Sequence, residues 1–261
     1  MGSGVPSSAT AQPTDDYMLI QGKAQSASGC TFAYRLYKPK TPTTSTSLVL
    51  GHGFMRDQDN MVGLSRAFAN RGVTVATLDY CNMRPWNGHH ERNARDMQTL
   101  ARELGLSDNV IYAGFSAGAL AAVLAADEFT RAVVTLDLVD QANLGVMAIE
   151  QLTTPLVGLS GPPSGCNASA NGASVFNQRN IDSLSKLGLV SGASHCEFES
   201  PSDWLCELAC GNESNTASNT ASNKVTRNTI IARTLELASP YLEPLTTPTV
   251  VSHSSTDTES F

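Results

Sequence analysis

The sequence predicts an α/β fold, one domain built on a mostly parallel sheet with helices on both faces, and three observations carry that reading. Strand-length apolar runs alternate with helical segments from about Leu48 to Leu237, the pattern of repeated βα crossovers. One run, Val110-Ile111-Tyr112-Ala113, passes through Gly114-Phe115-Ser116-Ala117-Gly118 into an alanine-rich segment ending near Ala126, which is strand, sharp turn, helix. Finally, 261 residues with 41% hydrophobic and 16% charged side chains suit a single large domain with a substantial core.

Taken in order, residues 1–16 are rich in Ser, Gly, Pro and Thr, lack the apolar core of a signal peptide, and read as a flexible arm. Met18–Gln21 and Thr31–Tyr37 form an antiparallel hairpin around a Ser/Gly turn. Leu48-Val49-Leu50 is a short buried strand ending in Gly51-His52-Gly53-Phe54. Asn60 to Arg71 is a helix, Val73 to Asp79 a strand, and His89 to Leu104 a helix. After the Ser116 unit, Ala132 to Asp137 and Leu156 to Ser160 are strands. Ser174 to Leu187 is helical, and Leu189 to Ser194 is a last strand with His195 just past it. Pro201 to Ala209 makes a short helix, and Val225 to Ala238 closes the domain as another. Between them, Asn215 to Asn223 is a small tandem repeat expected as a loop. The domain therefore spans 17–245, followed by a polar tail at 246–261.

Bulk properties exclude several function classes. A net charge of −7, with no Lys/Arg run, disfavours nucleic acid and anionic membrane surfaces as partners. No apolar run is long enough to span a bilayer. The six cysteines, Cys30, Cys81, Cys166, Cys196, Cys206 and Cys210, show no CxxC spacing, which argues against a zinc ribbon or thioredoxin-type motif. Six cysteines allow 15 pairings, and Cys206 and Cys210, four apart on a helix, are poorly placed to join each other. The even count and a Ser/Thr/Asn-rich surface lean toward a secreted protein in an oxidising setting, with reduced buried thiols as the alternative. Asn167-Ala168-Ser169 and Asn212-Glu213-Ser214 fit the N-glycosylation pattern.

In parallel sheets, reacting groups collect at the carboxyl ends of strands. Those ends here carry His52-Gly53-Phe54, Ser116, Asp137 and His195. Gly-x-Ser-x-Gly alone is a weak signal, because glycine and serine are common. The order Ser, Asp, His is what gives it force. A serine hydroxyl is a poor nucleophile until a base takes its proton. An imidazole does that near neutral pH, and needs an acid on its other nitrogen to hold the tautomer. Ser116, His195 and Asp137 fill those roles, and Asp140 is the second choice of acid. Either acid could instead cap a helix beginning near Leu138.

Gly-Phe-Ser-Ala-Gly after a strand, Gly-His-Gly-Phe after an earlier one and Gly-Ala-Ser-His after the last resemble the α/β-hydrolase fold superfamily over about residues 17–240. More narrowly, His52-Gly53-Phe54 with Arg66-Ala67-Phe68-Ala69-Asn70-Arg71-Gly72-Val73-Thr74-Val75 is similar to chlorophyllases, polyester-degrading cutinases and dienelactone-hydrolase-like esterases. Leu136-Asp137-Leu138-Val139-Asp140 resembles the Asp-Pro-Val-Asp of chlorophyllases without its proline, and Ala117 stands where they carry arginine.

The resemblance implies a serine carboxylic-ester hydrolase, esterase-, lipase- or cutinase-like, needing neither metal nor organic cofactor. Its oxyanion hole would be the backbone N–H groups of Phe54 and Ala117. His52 is expected to support that loop rather than act as a base. Met83 and Trp86, after the strand ending near Asp79, are assigned to the substrate cleft, with core packing an equal account. His89-His90 reads as a solvated helix start rather than a metal pair, since adjacent helical residues point apart. The short span from Asp137 to Pro155 leaves no room for a large cap domain, which predicts an open, shallow cleft for lipid-like or polymeric esters. A thioesterase or amidase on the same groups, or a catalytically silent binding protein, are the alternatives. We expect a monomer.

Overall fold

A computed structural model describes residues 15–81, 89–178, 184–210 and 220–245. Its centre is one eight-stranded sheet in the order β1-β2-β4-β3-β5-β6-β7-β8. The strands are β1 (Tyr17–Gln25), β2 (Thr31–Pro39), β3 (Ser47–Gly51), β4 (Thr74–Leu78), β5 (Val110–Phe115), β6 (Thr130–Leu136), β7 (Leu156–Ser160) and β8 (Ser185–Leu189). The β1–β2 hairpin joins β4 antiparallel, and every pairing from β4 to β8 is parallel.

The helices are α1 (Val62–Ala69), α2 (His90–Glu103), α3 (Ala117–Ala125), α4 (Leu144–Ile149), α5 (Ala173–Gln178), α6 (Trp204–Cys210) and α7 (Thr220–Ala238). Alternation along the strands sorts them into two layers. Leu48, Leu50, Val75, Ile111, Ala113, Val134 and Leu136 point to the face covered by α1 and α7, where Leu64, Phe68, Ile230 and Leu235 meet them. Val49, Ala76, Tyr112, Val133 and Leu156 point to the other, under α2, α3, α4 and α5, where Met97, Leu100, Leu120, Ile149 and Phe176 are buried. At about 25 cal/mol per Å² of apolar surface, this two-sided burial is the main stabilising term, and it fixes where the carboxyl edge lies.

Several expectations shift. The helix expected from Asn60 begins at Val62, because Gln58–Met61 winds as a 3₁₀ turn capped by Asp57. Of the helix expected over 174–187, residues 174–178 lie in α5, whereas Ser185–Leu189 pairs with β7 as the edge strand β8. The last strand thus lies four residues upstream of its expected start. A turn with Gly192 at φ 83° then leads into a 3₁₀ turn over His195–Phe198. Thr220 to Asn223 of the tandem repeat belong to α7 rather than to a loop. Three disulfides, Cys30–Cys81, Cys166–Cys210 and Cys196–Cys206, use all six cysteines and leave Cys206 and Cys210 unjoined to each other. Among the described residues no helix is long and apolar enough to cross a membrane, and no separate cap domain is present.

Candidate active site

The site assembles at the carboxyl edge of β3, β5, β6 and β7. Ser116 sits between β5 and α3 at φ 54°, ψ −118°, a conformation that L-residues rarely adopt. The glycines on either side permit it. A Cβ on Gly114 would come within 2.2 Å of the Gly118 carbonyl oxygen, and one on Gly118 within 2.3 Å of the His52 carbonyl oxygen. The turn is thus clamped between α3 and the loop after β3.

His195 is brought to this turn by the loop after β8. Its Nε2 lies 3.1 Å from Ser116 Oγ and its Nδ1 2.6 Å from Asp137 Oδ2. The Phe115 ring packs against the imidazole at a centroid distance of 4.6 Å. All three polar groups are nearly buried: Ser116 is 7%, Asp137 1% and His195 8% exposed. Asp137 ends β6 in a left-handed conformation, and its other oxygen accepts from the Gly161 N–H at 2.9 Å and the Ser160 hydroxyl at 3.2 Å. Asp140, the second choice, is committed elsewhere. Its carboxylate accepts from the backbone N–H of Gly145 and Val146 in the first turn of α4, so the helix-capping role falls to it.

Asn167 completes the acid's surroundings, and the sequence reading missed it. It is 1% exposed, and its Nδ2 donates to Pro162 O at 2.8 Å and to the Asp137 oxygens at 3.3 and 3.4 Å. Its Oδ1 accepts from the N–H of Ser164 and Ala170. A buried amide with both ends occupied cannot carry a glycan in the folded protein, so the Asn167 sequon is a coincidence of spelling. Asn212 lies outside the described residues, as do Met83 and Trp86.

His52 supports the loop after β3, as expected. Its Nδ1 donates to Gly53 O at 2.8 Å, and its Nε2 accepts from the Tyr80 N–H at 3.3 Å. Burial holds its pKa below the ordinary histidine value, so the ring is a neutral prop. Phe54 and Ala117 both border the cavity over Ser116, and Ala117 is the first residue of α3, whose N–H has no partner within the helix. His90 corrects the sequence reading. It starts α2, but it is buried, borders the cavity and hydrogen-bonds Gln141.

The cavity encloses about 780 Å³, large enough for a sizeable organic group. Ser116 borders it and is nearly buried. Phe54, Met55, Leu205 and Ala209 supply much of the wall, and Met55 (62% exposed) and Leu205 (48%) open it to solvent. Cys196, Cys206 and Cys210 place their sulfurs within 4.8 Å of one another. All three are half-cystines, so they offer no thiolate to a metal.

The same fold recurs among solved structures. An esterase from Pyrobaculum calidifontis superposes with a TM-score of 0.58 at 12% identity, covering 85% of each chain. An alpha-beta serine hydrolase homologue from Coxiella burnetii superposes at 0.54 and 18% identity, covering 71% of this chain and 91% of that one. The esterase domain of a Rhodothermus marinus protein gives 0.52 and 18%, covering 67% and 87%. This chain has the α/β-hydrolase fold. No family model matches it, and no curated protein does either. Side chains from the Ser116 turn, the β6 terminus and the loop after β8 converge on one point.

Proposed function

We propose that the protein is a serine carboxylic-ester hydrolase. The observation that carries this reading is the continuous hydrogen-bonded chain from Ser116 Oγ through His195 to Asp137, on a turn strained to present the hydroxyl. Ser116 Oγ attacks the ester carbonyl carbon while His195 Nε2 takes its proton. The negative charge on the carbonyl oxygen is met by the N–H groups of Ala117 and Phe54, at the positive end of α3. Collapse of the tetrahedral intermediate breaks the bond to the alcohol, which leaves with the proton from Nε2. Water then attacks the acyl-enzyme by the same route, with His195 again accepting and returning a proton. Asp137 holds Nδ1–H and stabilises the imidazolium that forms in each half-reaction.

The walls favour an apolar acyl or alcohol group. Phe54, Met55 and Leu205 edge the cavity, and Trp204 (73% exposed) and Leu208 (77%) continue the apolar surface on α6. That rim suits exposed, lipid-like or polymeric esters, and the net charge of −7 argues against anionic surfaces as their carrier. Three disulfides fit a secreted protein.

The test is hydrolysis of p-nitrophenyl butyrate by the wild type and Ser116→Ala, with thermal unfolding as the check on folding. The variant should keep its fold and lose at least about 10⁴-fold in kcat. Turnover retained by a folded variant would refute the assignment of the nucleophile. A panel running from short acyl esters to an insoluble polyester then reads the substrate class.

A further inference from the structure

Arg56 borders the cavity, yet its guanidinium faces the protein. Nε and Nη2 donate to the two oxygens of Glu199 at 2.5 and 2.7 Å, and Nη1 donates to Asp203 Oδ2 at 2.9 Å. The Glu199 side chain is fully buried and that of Arg56 only 10% exposed. A buried fork of this kind is a geometric device first, because desolvation cancels much of what the charges gain.

What the fork holds is the turn that carries Phe54. The Gly53 carbonyl oxygen accepts from the Arg56 N–H at 3.3 Å and from His52 Nδ1 at 2.8 Å. A planar trans peptide points its N–H opposite to its carbonyl, so fixing the Gly53 oxygen fixes the direction of the Phe54 N–H. The turn is not relaxed. Met55 has φ 55°, and Gly53 is pressed so closely on Phe115 that a Cβ there would lie 2.8 Å from the ring. Such a turn persists only if something outside it holds its end. The far end of the fork is equally placed, because Glu199 lies four residues past His195 and its N–H donates to Cys196 O at 3.3 Å.

We infer that Arg56 is a positioning residue: its fork on Glu199 aims the Phe54 N–H and ties the turn that carries it to the loop that carries His195. The inference rests on the proposed role of Phe54 as an oxyanion donor. A purely structural ion pair would affect folding and spare the chemistry, so the two are separable.

Arg56→Met leaves the buried Glu199 without its cation. Arg56→Met/Glu199→Met replaces the pair by apolar groups, which restores stability in many proteins. The expected result for Arg56→Met is a loss of about 10- to 100-fold in kcat on p-nitrophenyl butyrate with KM within about twofold. Arg56→Lys, which keeps the charge but cannot fork, should fall between. The double variant should recover its melting temperature but not its kcat. Amide hydrogen exchange across residues 53–56 should quicken in both Met variants. A double variant that regains wild-type kcat, or exchange over 53–56 unchanged from wild type, would overturn the inference. If the wild type turns over no ester at all, the hydrolase reading fails by itself, and the exchange measurement still decides whether Arg56 sets the turn.

Discussion

Asn167→Asp is an almost isosteric change that the site should not tolerate at neutral pH. The Asn167 Nδ2 lies 3.3 and 3.4 Å from the Asp137 oxygens and 2.8 Å from Pro162 O. Replacing that donor by a carboxylate oxygen sets two acids against each other in a buried site. At this separation two full charges repel by about 5 kcal/mol for an effective dielectric near 20. The escape is to keep one carboxyl protonated, which costs about 1.4 kcal/mol for each pH unit above an ordinary aspartate value of about 3.9. That is about 1.5 kcal/mol at pH 5 and about 4 kcal/mol at pH 7, so proton uptake wins up to neutrality and repulsion caps the cost above it. The introduced carboxyl, once protonated, can also donate to Pro162 O, much as the asparagine does. Urea unfolding at pH 5, 6, 7 and 8 should therefore show a deficit that grows with pH from about 1.5 toward about 5 kcal/mol and then levels. Ester turnover should fall over the same range. A deficit independent of pH would mean that Asn167 does not face Asp137 as described, and the reasoning would fail.

Two further changes test the frame around the site. Gly118→Ala places a methyl group 2.3 Å from the His52 carbonyl oxygen and 2.7 Å from that of Gly51, both backbone atoms that cannot step aside. It should reduce kcat by at least about 100-fold, as expected for a displacement of about 1 Å at the reacting centre, or prevent folding; near-normal kinetics would contradict the clamped turn. Asp96 is buried with one oxygen on Ser26, and burial raises its pKa against the pull of that bond. A raised carboxyl contributes stability below its unfolded value and loses it as pH climbs through the folded one, so Asp96→Asn should gain in melting temperature relative to wild type as pH rises above about 4. Glu197 and Glu199 are raised in the same direction and remain in both proteins, so a difference that is flat with pH would rule out Asp96 as a source.

The parts of the site that could be read from the sequence are those with local signatures. The Ser116 turn announces itself because strand, close-packed glycines and helix follow one another without a break from Val110 to Ala125. Asp137 stood out because it follows β6 directly, and His195 because it follows Gly-Ala-Ser after the last strand, although it lies six residues past the end of β8. What stayed hidden depends on distant backbone. Arg56 and Glu199 are 143 residues apart, and nothing near either one marks a partner. Asn167 spelled a glycosylation site, while its real setting needs the loop after β7 to curl back over Asp137; the lack of any acid in residues 161–175 was the one hint that another group stands there. Residues 185–187 read as helix because β8 is an exposed edge strand, with Leu187 and Leu189 both exposed, so no burial pattern marks it as a strand. Pairing with β7 decided the matter, which propensity could not foresee.

Two cystines rivet α6, one running to the residue after His195 and the other to the residue before Asn167. Covalent anchorage relieves its outward face of any duty to pack. Trp204, Leu205 and Leu208 can therefore stand in solvent on a lip that the cystines, rather than packing, keep in place.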